Sequence, residues 1–182
     1  MNPTAENGAT LGAGSASAPG IARRLACFVY EGVLLFGVVM IAAYLYGSLT
    51  QQRHALEGKT GLQAFLFVIL AIYFTWFWSH GGQTVAMKAW HIRLVDAAGR
   101  PVSQPRALLR YVASWLWFLP SLVLVYQSGL RQPGAVFGVM AIGVIGYAAL
   151  AWLRPDRQFW HDALCGTRLV TWRHARPAQS AG

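Results

Sequence analysis

Four stretches of this chain, residues 25–47, 62–79, 107–126 and 135–153, are long and apolar enough to cross a lipid bilayer. A span needs roughly 20 predominantly apolar residues to cover a hydrocarbon core about 30 Å thick. Backbone in that layer must satisfy its own polar groups, which selects helices. The expected fold is an all-α membrane protein, a bundle of four transmembrane helices. Composition agrees: 55% of the residues are hydrophobic and 12% are charged, where a soluble domain carries about 25% charged residues. Pro120 should kink the third span, because it lacks an N–H and its ring crowds the preceding turn. Gly138, Gly143 and Gly146 should let the fourth span lie close to a neighbour.

The excess of cations fits either nucleic acid or loops flanking membrane spans, and its placement decides. The formal charge is +9, from 15 Lys and Arg against 6 Asp and Glu. In a four-span arrangement only Arg53, Lys59 and Arg131 fall on one side. All other cations lie before span one, between span two and the start of span three (where Arg110 falls), or after span four. Lys and Arg accumulate on cytoplasmic loops, so both ends and the loop before span three are expected in the cytoplasm. The expected location is the bacterial inner membrane, with anionic lipid at the cytoplasmic face and no nucleic-acid partner.

Residues 1–20, rich in Gly, Ala and Ser, read as a disordered tail without the features of a signal peptide. The transmembrane domain covers 21–173, and 174–182 form a C-terminal tail. Cys27 and Cys165 lie in no CxxC pattern, so neither a disulfide framework nor a zinc site is expected. No cofactor is implied.

Two segments break the helical pattern. Residues 90–96 alternate Trp90, Ile92 and Leu94 with His91, Arg93 and Val95, and Asp96-Ala97-Ala98-Gly99 then supplies a turn. Residues 167–172 again read as a strand. Isolated strands are marginal, so the two are expected to pair at the membrane surface. Ser103 stands where a helix N-cap belongs, with Pro105 in the first turn.

Few residues could carry chemistry. Glu31 is the acid inside a span, where a charge costs roughly 2.5–3.5 kcal/mol and needs a partner or a neutral state. Arg24 lies seven residues earlier on nearly the same helical face. Asp162 is next to His161; a His-Asp pair can serve acid–base work, but a cap or an ion pair with an arginine is the simpler role. Gly82, Gln83, Thr84 and Lys88 form a motif after span two, with Thr84 placed to cap the segment that begins at Val85. No nucleophile–base set is visible, so the chain is not expected to be an enzyme.

Arg23-Arg24-Leu25-Ala26 with Glu31, then Gly82-Gln83-Thr84 with Ile92-Arg93-Leu94-Val95-Asp96, then His161-Asp162 and Gly166-Thr167-Arg168-Leu169-Val170, resemble the RDD family of bacterial membrane proteins in content and order. In that resemblance Arg24 takes the place of the arginine and Asp162 that of the second aspartate. Glu31 stands where the first aspartate is usual, and Ala86 where a glycine is common. Some family members are implicated in sodium/proton antiport. The resemblance therefore implies a role in ion or proton-coupled transport, with Arg24, Glu31 and Asp162 as one charged, ion-binding cluster. A homo-oligomer would be needed for a pathway. The alternative is a membrane anchor that presents a cationic face to lipid or protein.

Overall fold

The computed structural model describes residues 18–50, 59–155 and 158–172. The expected tails therefore lie outside the described residues, except for 18–20. Four helical segments meet the length and hydropathy of a membrane span: Ile21–Thr50, Lys59–His80, Gln104–Ser128 and Pro133–Leu153. Each contains one of the stretches read from the sequence. We label α1 (Ile21–Thr50), α2 (Lys59–His80), α3 (Val85–Ala89), β1 (Ile92–Asp96), α4 (Gln104–Ser114), α5 (Leu119–Ser128), α6 (Pro133–Ala149), α7 (Trp160–Leu164) and β2 (Thr167–Thr171).

The third span is broken rather than bent. A 3₁₀ turn at Trp115–Trp117 separates α4 from α5. Pro120 cannot donate to the carbonyl four residues back, and its ring disfavours regular helix there, so the chain tightens just before it. Between the third and fourth spans, α5 packs on α6. A Cβ on Gly143 would overlap the Ser121 hydroxyl, so glycine is what allows this approach.

Outward-facing positions on the spans carry Val33, Phe36, Ile41 and Tyr44 on α1 and Phe137, Ile142 and Ile145 on α6, all exposed. In water such a surface would be untenable; against lipid tails it is what a span requires. The tightest packing lies instead at one end of the bundle, around Ile92, Leu94, Val102, Ala107 and Phe159.

That end is closed by a two-stranded antiparallel sheet. β1 and β2 pair from Ile92↔Thr171 to Asp96↔Thr167, with Leu94 opposite Leu169 at the centre. The expected strand at 90–96 starts two residues late, because Trp90 caps α3 and His91 adopts φ 54. The turn forms as expected. Asp96 Oδ1 accepts from the backbone N–H groups of Ala98 and Arg100, both at 2.8 Å, and Gly99 takes φ 81. Ser103 occupies the N-cap of α4, but its side chain makes no cap bond.

The sheet reveals an internal repeat. Gln83, α3, a positive-φ residue (His91) and Ile92-Arg93-Leu94-Val95 recur as Gln158, α7, a positive-φ residue (Gly166) and Thr167-Arg168-Leu169-Val170. The register is symmetric about Leu94–Leu169. α3 packs on α1 as α7 packs on α4. In chain order each half holds two spans, a short helix and a strand, and the two strands pair about a local two-fold at Leu94–Leu169. The spans do not follow that symmetry, since α2 packs on α4 without an equivalent packing of α6 on α1 among the described residues.

Candidate functional site

Glu31 occupies the inner face of α1 and is 8% exposed. The Tyr73 hydroxyl on α2 donates to Oε1 at 2.8 Å. The Thr84 hydroxyl donates to Oε2. Thr84 is fully buried and holds its position by a second bond, accepting from the Met87 N–H at 3.2 Å as the N-cap of α3. The Gly82-Gln83-Thr84 motif explains why α3 sits here. Gly82 has φ 70, and a Cβ on it would come within 2.5 Å of the Leu94 carbonyl. Its own carbonyl accepts from the Leu94 N–H at 2.7 Å. Gln83 donates to the Ile92 carbonyl at 2.7 Å. The motif thus ties the end of α2 to β1 and points Thr84 back at α1. Lys88, expected with it, is exposed and has no part in that framework.

Asp162 is completely buried. Arg110 on α4 places Nε and Nη2 each 2.7 Å from its Oδ1, while Oδ2 is buried without a hydrogen bond among the described residues. The Arg110 guanidinium also lies over the Trp78 ring, 4.1 Å from its centre. His161 joins this group: Nε2 is 3.4 Å from Asp162 Oδ1, and the Tyr147 hydroxyl is 3.0 Å from Nδ1. That hydroxyl also accepts from the His161 backbone N–H at 3.1 Å, so Tyr147 holds both the backbone and the ring of His161. Burial pushes the imidazole down to about 4, against the opposing pull of Asp162. At neutral pH His161 is uncharged, and the ion pair is Arg110–Asp162.

Arg24 is 4% exposed. Its Nε donates to the Pro19 carbonyl at 2.7 Å, and its guanidinium lies 4.9 Å from the centre of the Phe159 ring.

The three residues expected as one cluster thus anchor different contacts, Glu31 to Tyr73 and Thr84, Asp162 to Arg110, and Arg24 to Pro19 and Phe159. They share a neighbourhood nonetheless. A cavity of about 350 Å³ is lined by the ionisable side chains of Arg24, Glu31, Arg110 and His161, by Cys27 and Ser114, and otherwise mainly by aromatic and aliphatic side chains. Among the described residues, no group of three or more His, Cys, Asp and Glu could hold a metal ion.

Sequence reasoning missed three partners. Tyr73, in the second apolar stretch, carried no signal of its own, yet it is half-buried and bonded to Glu31. Arg110 counted only as a loop cation. Gln158 exchanges two bonds with Leu169, Nε2 to the carbonyl at 3.1 Å and the N–H to Oε1 at 3.0 Å. The recurrence of a glutamine ahead of each Arg-Leu-Val strand was the available signal for Gln158.

A model of the RDD family matches residues 18–166 of the chain. No curated protein and no solved structure matches it.

Proposed function

The chain belongs to the RDD family of membrane proteins, and from that premise we propose that it contributes to sodium/proton-coupled transport, with Glu31 as the group that exchanges a proton for the cation. The observation that carries this reading is the pairing of Glu31. Its two oxygens are held by two hydroxyls, those of Tyr73 and Thr84, inside a span and beside a cavity. A carboxylate tied to a buried arginine is locked in its charged state. Hydroxyls can donate to the carboxylate and then reorient when it takes a proton, so Glu31 can exist in both states. Sodium favours hard oxygen donors, and the same three side chains supply them.

In this reading the sheet end of the bundle faces the cytoplasm and the membrane is the bacterial inner membrane. Support comes from the exposed Lys88, Arg100, Arg106 and Arg168 at that end, since cytoplasmic loops collect such cations. A single four-span chain leaves little room for a pathway, so transport would run in a homo-oligomer. The chemistry is non-enzymatic. The same exposed cations favour a second reading, an anchor whose face binds anionic lipid at ~1 kcal/mol per basic residue.

Ligand-linked stability separates the two. A cation that binds the folded state raises its unfolding temperature with concentration. In detergent at constant ionic strength, sodium in place of choline should stabilise the wild type and leave Glu31→Gln unchanged. Equal responses of the two proteins would remove Glu31 as the cation site.

A further inference from the structure

The 350 Å³ cavity lies between the two halves of the repeat. Its walls come from α1 and α2 on one side and from α4 and the Trp115–Trp117 turn on the other, and Ile92 and Leu169 contribute from the paired strands. In many secondary transporters built from repeats the substrate site lies at such an interface. The volume falls at the small end of the range for ligand pockets, about 300–1,000 Å³.

The lining is amphipathic in a particular sense. Phe28, Phe74, Trp115 and Phe118 make it aromatic. The polar positions are rich in donors, because two almost fully buried guanidinium groups, Arg24 and Arg110, border it. Arg110 directs two of its three nitrogens at one oxygen of Asp162, and Nη1 makes no bond among the described residues. Glu31 does not compete for that donor, since both of its oxygens are engaged by Tyr73 and Thr84.

We infer that the cavity is a binding site for a single-chain amphiphile with a carboxylate head, such as a long-chain fatty acid, its head on the open edge of Arg110 beside Arg24 and its chain among the aromatic side chains. A planar monoanion matches the remaining edge of a guanidinium fork. The site does not use the Glu31 oxygens, so it stands or falls separately from the transport reading.

Two substitutions probe it from different sides. Gly32 lines the cavity, and a Cβ there meets nothing within 4 Å; Gly32→Leu fills the space without touching the ion pair. Arg110→Lys keeps the charge opposite Asp162 and removes the fork. The probe is dibromostearate, whose bromines quench nearby tryptophans, titrated into the full chain in zwitterionic nanodiscs. Exposed Trp76, Trp152 and Trp160 report simple partitioning as a non-saturating background. The wild type should show an additional saturable component from Trp115 and Trp117. Dibromostearate methyl ester should bind at least about tenfold more weakly, the worth of a charge-assisted hydrogen bond. Gly32→Leu should lose the saturable component, and Arg110→Lys should weaken it. The absence of that component in the wild type, its survival in Gly32→Leu, or equal affinity for acid and ester would each overturn the assignment.

Discussion

Arg110 and Asp162 join the third span to the short helix beyond the fourth through a single carboxylate oxygen, with two guanidinium nitrogens each 2.7 Å from Oδ1. The side chains are 8% and 0% exposed. Removing one partner of a buried pair strands the other charge and costs about 3–5 kcal/mol, whereas replacing both with apolar groups is often neutral. Asp162→Asn and Arg110→Gln should each lower the unfolding temperature in detergent sharply. The double variant Arg110→Met/Asp162→Leu should recover much of the loss. Additive losses in the double variant would show that the two residues do not act as a pair.

Thr84 serves two helices at once, capping α3 and donating to Glu31 on α1. Thr84→Val removes both bonds and should cost about 2 kcal/mol, roughly 1 for the cap and 1 for the buried hydrogen bond. Thr84→Ser keeps both and should stay close to wild type. Tyr73→Phe, which removes one bond, should fall between them. Denaturant titration monitored by tryptophan fluorescence ranks the three.

Gly82 is required by conformation as well as by space. Gly82→Ala places a side chain at φ 70 and against the Leu94 carbonyl, and should destabilise the sheet end by at least ~1 kcal/mol. Gly81→Ala meets open space and should be nearly silent. Equal thermal shifts for the two would remove the conformational role.

His161 sets a pH window. Its value falls from 6.5 in the unfolded chain to about 4 in the fold. Below pH 6.5 the unfolded state binds a proton that the folded state refuses, so stability drops as pH falls from 6.5 towards 4. Asp96 acts lower. Hydrogen bonds from the Arg100 backbone and side chain hold its carboxyl below the usual 3.8, so its contribution is lost only as pH falls further. Unfolding temperatures between pH 7 and 4 should decline less steeply in His161→Gln than in the wild type. Parallel curves would mean that His161 titrates normally.

Much of the fold is legible because the membrane imposes simple rules. Apolar length marks the spans, and strict alternation around Ile92 and Leu94 marks a strand whose partner was the other such segment. Pairing inside the bundle was harder to read. Helix periodicity puts Arg24 and Glu31 on one face, but periodicity describes a single helix. The partners of Glu31 come from α2 and from the Thr84 cap of α3, and that of Asp162 from α4. Which residues meet is decided by the Gly82 turn and by the symmetric sheet, and both are tertiary features. The internal repeat was present in the sequence, but its two copies share few identical residues beyond the glutamine and Arg-Leu-Val.

The role of Glu31 is tested most directly by flux. Wild type and Glu31→Gln are reconstituted at equal density in vesicles carrying a pH-sensitive dye, and an inward sodium gradient is imposed. Sodium/proton exchange through Glu31 predicts sodium-dependent proton efflux in the wild type, and in Glu31→Gln a rate no faster than that of empty vesicles. Wild-type vesicles that behave like empty ones, or a correctly folded Glu31→Gln that exchanges as fast as wild type, would contradict it.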